Sequence, residues 1–272
     1  TSCYFRGGRS DLCGWHETPI YQLEKLSAGQ RLQGPAIVMQ DTSTILVEPG
    51  CYAEITEFGD VILTVETKTY REIGTQADPV QISIFGNLFM SIAEQMGRTL
   101  QRTAISTNIK ERLDFSCAIF DQSGGLVANA PHVPVHLGAM SDAVKKQIEL
   151  NIGSLEEGDV FVSNHPYEAG MPHVSDMGFV APIFSGGKLI GYSASIAHKA
   201  DIGGTNPGST SANSTEIYHE GLLLPPIKFH REGNPDPDIE RVILGNSRHP
   251  DLVRGDIHAQ VAATNMGVIL SL

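Results

Sequence analysis

Cysteine is scarce in this chain, and what little there is lies scattered. Cys3, Cys13, Cys51 and Cys117 are the only four in 272 residues. None belongs to a C-x-x-C pair, which excludes a disulfide framework, a zinc ribbon and thioredoxin-type chemistry. Reduced thiols in the cytoplasm are the expectation. Basic residues are also short: 19 lysines and arginines face 31 aspartates and glutamates, a formal net charge of −12. That balance argues against nucleic acid or an anionic membrane as partner. There is no unbroken apolar run approaching the ~20 residues of a membrane helix. The first residues, Thr1 to Ser10, lack the basic start and apolar middle of a signal peptide. Neither a G-x-x-x-x-G-K-[ST] phosphate loop nor a G-x-S-x-G elbow occurs, so a P-loop nucleotide site and a hydrolase serine are unsupported. Because the chain opens on Thr1, it is read as a processed, trimmed or partial product.

What is present reads as an α+β protein in two parts. From residue 1 to 68 the chain is β-rich. Ala36–Met39, Thr44–Val47, Tyr52–Ile55 and Val61–Val65 are short apolar runs separated by Gly34-Pro35, Pro49-Gly50 and Gly59-Asp60, as in a small barrel or sandwich. Residues 69–78 read as a linker. From 79 to 272 a larger mixed domain is expected, with a long buried helix and antiparallel hairpins. Asp78 as cap, Pro79 in the first turn and Gln81 as capping-box partner mark the helix start. Val80, Ile84, Leu88, Ile92, Met96 and Leu100 give it an apolar stripe at helical spacing. A hairpin is expected around Gln122–Gly125, a second helix over Met140–Asn151, and strands at Val160–Val162, Phe179–Phe184 and Leu189–Ile196. The last two join through Ser185–Lys188, and a final helix is expected from Asp256 to Leu272.

Chemistry concentrates around that second hairpin. His173-Val174-Ser175-Asp176 precedes it, and His198-Lys199-Ala200-Asp201 follows it. Counting outward from the turn sets Asp176 opposite Ile196 or Ala197, and His198 opposite Val174 or Ser175. His173, Asp176 and His198 then gather at the hairpin's base. Two imidazoles and a carboxylate suit Mn²⁺, Fe²⁺ or Zn²⁺; loop hydrogen bonding is the alternative use of the same side chains. Asp201 could orient one histidine. Glu111 or Asp114, in the charged stretch Lys110–Ser116, could complete the metal's ligands. His132 and His136 lie among prolines in what reads as a stiff extended loop, and either could carry a proton. Gly203–Ser209 is an amide-rich loop able to receive a carboxylate or phosphate, weak evidence by itself.

Several long segments resemble the hydantoinase/oxoprolinase family. Gln95–Ala104, Ser106–Ser116, His132–Met140, Asn164-His165-Pro166 and His198–Gly204 resemble its B-type half. Leu32–Ile37 and Thr44–Gly50 look like the tail of its A-type half. Both in one chain, in that order, resemble the fused, ATP-dependent members. The resemblance implies hydrolysis of 5-oxoproline, or a similar cyclic amide, to an open amino acid within glutathione turnover. It implies a divalent metal held by His173, Asp176 and His198, with Glu111 as a further carboxylate. It implies ATP with Mg²⁺ acting only through an A-type nucleotide domain, which this chain lacks. An A-type half or a second copy of the chain is the expected partner. The chain is accordingly read as a segment, split-gene product or truncated paralogue; an inert assembly module and a hydantoin-cleaving relative are the alternatives.

Overall fold

The computed structural model describes residues 1–5, 13–65, 78–151, 153–209 and 211–272, in two compact units, Thr1–Gln76 and Ala77–Leu272. The expected linker lies, apart from Asp78, outside the described residues.

The described residues of the first unit form short strands and one 3-10 turn (Leu23–Lys25): β1 (Ser2–Phe5), β2 (Gly14–Glu17), β3 (Ile20–Gln22), β4 (Arg31–Gln33), β5 (Ala36–Gln40), β6 (Ser43–Val47), β7 (Tyr52–Ile55) and β8 (Val61–Thr64). They pair as β1–β2, β3–β5–β6 and β4–β7–β8. Leu32, Ala36, Val38, Val47, Cys51 and Ala53 are buried in one cluster drawn from both three-stranded sheets. These two sheets thus turn one face inward onto each other and make a small sandwich rather than a barrel.

The second unit begins at α1 (Pro79–Thr103), where the Asp78 side chain accepts from the Val80 amide at 2.9 Å. Then come α2 (Thr107–Lys110), β9 (Phe115–Asp121), β10 (Leu126–Asn129), α3 (Pro134–Asn151), β11 (Val160–Ser163), α4 (Pro166–Ala169), β12 (Asp176–Ser185) and β13 (Lys188–His198). The unit closes with β14 (Ile227–Arg231), β15 (Asn234–Pro235), α5 (Pro237–Gly245) and α6 (Pro250–Leu270). One antiparallel sheet runs β10-β9-β13-β12-β11-β14-β15. Strand alternation sends Phe120, Val180, Tyr192, Ala194 and Ile196 into a core with Met140 and Val144 of α3. The opposite face meets α1 and α6 through Phe115, Cys117, Ile119 and Ala197, and Met177 and Phe179 pack on α5 and α6. The fold is α+β, a central sheet with helices on both faces. No helix among the described residues is long and apolar enough to cross a membrane.

Four local expectations are corrected. The stripe of α1 is covered only in its second half: Ile92, Met96 and Leu100 are at most 3% exposed, whereas Val80, Ile84 and Leu88 are more than half exposed. The helix outruns the sheet it packs on. Helix α3 starts six residues before the expected Met140, because Pro134 suits a first helical turn. His136 therefore sits on a helix and not in an extended loop. Pro250 starts α6 before Asp256 for the same reason. The fourth concerns register. The turn-proximal pairs Ser185–Lys188 and Phe184–Leu189 follow the expected count, but Ile183 pairs with Gly191, leaving Ile190 as the extra residue of a β-bulge. Every deeper pair moves by one, so Asp176 stands directly opposite His198.

Candidate metal centre

Three short stretches meet at the end of the sheet. Helix α4 is stopped by Gly170 in the left-handed region (φ +68°), and the chain returns through His173 into β12. The Asp176 amide donates to the His173 carbonyl at 3.1 Å, which fixes the two residues in one turn. The register then sets Asp176, the first residue of β12, across from His198, the last of β13. One ligand atom from each of His173, Asp176 and His198 falls within 4.8 Å of the others. His173 Nε2 lies 3.2 Å from His198 Nδ1, and Asp176 Oδ1 lies 3.2 and 3.5 Å from those two nitrogens.

Asp176 is 1% exposed. Burial opposes its ionisation, but the imidazoles of His136, His173 and His198 outweigh that and hold its carboxyl well below the usual range. Pairing with Asp176 raises the His173 pKa, with burial pulling the other way. Yet Asp176 Oδ1 has no hydrogen-bond partner among the described residues, because the flanking ring nitrogens are close but misaligned. A buried carboxylate oxygen without a donor, facing two imidazole nitrogens, fits a divalent cation. The nitrogen and oxygen donors suit Mn²⁺, Fe²⁺ or Zn²⁺.

His136 and Asp114 extend the cluster. His136 is 2% exposed, with Nε2 at 3.3 Å from Asp176 Oδ2 and 3.7 Å from Asp114 Oδ1. Asp114 Oδ2 is 3.9 Å from His198 Nδ1. The Ser116 hydroxyl donates to the Val133 carbonyl (3.2 Å), so its 3.4 Å contact with His136 is donated by Nδ1–H. The same ring turns Nε2 toward both carboxylates.

The remaining sequence candidates lie elsewhere. Glu111 caps the end of α2, where its amide donates to the Thr107 carbonyl at 3.0 Å, and its exposed carboxylate makes no hydrogen bond or ion pair among the described residues; Asp114 is the carboxylate of that stretch that reaches the cluster. His132 Nδ1 accepts from the Cys117 amide at 3.1 Å, and its ring stands edge-on to Phe115. Burial lowers its pKa, with Glu94 acting against and His136 with that effect. Asp201 is fully buried and accepts from the Gly203 amide at 3.1 Å, the Arg248 amide at 2.5 Å and the Arg248 guanidinium at 2.8 Å. It anchors the 201–209 loop. Ser116 escaped the sequence reading because nothing in an apolar strand marks one serine as a histidine's support.

Two cavities flank the cluster. One of about 410 Å³ is bounded by His173, Tyr167, Glu216 and Glu220. The other, about 360 Å³, is bounded by Asn108, Arg112, Asp114, His198, Pro207 and Gly208.

Comparison with known proteins gives the family. A family model described as "Hydantoinase B/oxoprolinase" matches residues 78–271, and one described as "Hydantoinase/oxoprolinase C-terminal domain" matches 10–61. The chain is 47% identical to 5-oxoprolinase 1 of Arabidopsis thaliana across 98% of its own length and 22% of that protein's. It is 43% identical to the 5-oxoprolinase of Dictyostelium discoideum, again across 98% of this chain and 21% of the relative. It spans about a fifth of the length of these curated relatives. Among solved structures, the ATP-dependent caprolactamase from Pseudomonas jessenii superposes with a TM-score of 0.67 at 30% identity, over 72% of this chain and 34% of that one.

Proposed function

Since this chain belongs to the hydantoinase/oxoprolinase family, we propose that it is the metal-bearing segment of a 5-oxoprolinase-type enzyme, one that opens 5-oxo-L-proline to L-glutamate with ATP hydrolysis. The observation that carries the reading is the convergence of His173, Asp176 and His198 around an undonated, buried Asp176 oxygen.

Ring opening adds water across the amide C–N bond, hydroxyl to the carbonyl carbon and proton to the nitrogen. An unstrained lactam resists this, so activation by ATP falls to an A-type nucleotide domain outside residues 1–272. Residues 1–68 are the tail of such a half, and 79–272 the start of the B-type half. His173, Asp176 and His198 would hold the metal, with Asp114 or Glu111 as a further carboxylate. When bound, the metal polarises an amide carbonyl or acidifies a water. Asp114 lines the smaller cavity beside His198, where its Oδ2 is placed to accept a proton from entering water. His136 Nε2, 3.7 Å from Asp114 Oδ1, offers the next stop inward. The test is elemental analysis of protein purified without chelator, on wild type and His198→Ala. About one equivalent of Mn, Fe or Zn, lost in the variant, is expected, together with glutamate formation once an A-type half and ATP are supplied. Absence of metal in wild type, even after adding it back, would sink the assignment.

A further inference from the structure

The two cavities beside the metal centre differ in charge. Each contains one of the two imidazoles, His173 in the larger and His198 in the smaller, so a metal held by both borders both. The larger is bounded by two carboxylates, Glu216 and Glu220, the first of them paired with His219. The smaller contains a cationic side chain, Arg112. That guanidinium makes no hydrogen bond or ion pair with any described residue, as is true of Arg102, whereas Arg31, Arg98, Arg231, Arg241, Arg248 and Arg254 pair with carboxylates. Leu113, in the left-handed region at φ +55°, turns the chain between Arg112 and Asp114, and both border the same cavity. Asn108 adds a side-chain amide that likewise has no hydrogen-bond partner among the described residues, and Pro207-Gly208 of the glycine-rich loop closes the far wall. Asp114, the one carboxylate in this cavity, has its oxygens turned to His136 and His198.

We propose that Arg112, supported by Asn108, is a specificity-determining residue that grips a carboxylate carried on the cyclic amide while the amide itself lies at the metal. Guanidinium and carboxylate match as a two-pronged, charge-assisted pair, which a lysine does not reproduce. The cavity, about 360 Å³, is at the small end of the range for small-molecule sites and suits a five-membered ring with one substituent. This selects lactams bearing a carboxylate over bare lactams, and it rests on the metal-centre reading above.

The experiment compares 5-oxo-L-proline with 2-pyrrolidinone, the same ring without its carboxylate, by ligand-observed NMR titration of the metal-loaded chain. Wild type should prefer the carboxylated ring by at least about tenfold, as a charge-assisted pair provides. Arg112→Gln should bring that ratio near one while leaving 2-pyrrolidinone binding and metal content unchanged. Arg112→Lys should restore part of it, and Asn108→Ala should lower it less. An unchanged ratio in Arg112→Gln, with metal retained, would overturn the clamp and leave the metal centre standing. Equal loss of both ligands in Arg112→Gln and Asn108→Ala would overturn it as well. So would inorganic phosphate that binds in an Arg112-dependent way without any discrimination between the lactams, since the arginine would then serve a phosphoryl group. Wild type without metal would overturn the underlying reading instead.

Discussion

His132 and His136 are four residues apart and have opposite surroundings. His136 faces two carboxylates, whereas the His132 ring accepts an amide proton and is partly enclosed, so its burial disfavours the charged form. Its folded-state pKa is depressed below the ordinary value near 6.5. The unfolded chain therefore binds the proton more readily. The stabilising contact with the Cys117 amide is intact above about 6.5, and stability falls as pH drops from there through the folded value. NMR titration should give His132 a midpoint below the ordinary range. His132→Asn, whose side-chain oxygen can still accept from Cys117, should flatten that part of the stability profile; an unchanged slope would remove the residue from the account. Both histidines are visible in the sequence as a pair among prolines. What the sequence does not display is which of them faces a carboxylate, because that depends on Pro134 opening a helix instead of stiffening a loop.

At the element scale, Asp78-Pro79 announces α1, and Asp236-Pro237 carries the same cap-and-proline signature for α5, where Asp236 accepts from the Asp238 amide at 3.1 Å. Reading the first and passing over the second is a matter of length: nine residues give too few turns for a stripe to stand out. The β12–β13 hairpin is legible from its apolar runs and its Gly186-Gly187 turn. Its register is not, because a bulge leaves no compositional trace. The bulge is hemmed in from the other side by β9. A Cβ on Gly191 would run into the Phe120 carbonyl oxygen, which belongs to backbone and cannot swing aside. Gly191→Ala should cost about 1–3 kcal/mol, in the range of overpacked cores, read as a lower denaturation midpoint. It should also weaken metal retention, since β13 would be pushed off β9 along the strand that carries His198.

For the whole molecule, three of the four thiols report on the two units separately. Cys13 is exposed, Cys51 is buried in the sandwich of the first unit, and Cys117 is buried in the sheet of the second. Burial pushes the Cys117 thiol far above its usual range, which leaves almost no thiolate to react. A thiol reagent should label Cys13 in the native protein and spare Cys51 and Cys117. In rising denaturant, the point at which each of those two becomes reactive marks the opening of its own unit. Prompt native-state labelling of Cys117 would contradict the packing described here.

Ile190 has a consequence for how this site tolerates change. The bulge and the metal cluster lie at opposite ends of one hairpin, seven residue steps apart, on the order of 20 Å along an extended strand. Loss of a single residue of β13 between the bulge and His198 would leave every metal-facing side chain intact, yet would set Asp176 against the wrong neighbour. Point substitutions at the exposed turn residues Ser185 and Lys188 should be tolerated, while insertions and deletions in β13 beyond the bulge should be as damaging as losing a histidine. The chemistry of this site is thus encoded partly as a length, and lineages or engineered libraries that keep the hairpin's residue count keep the metal's seat.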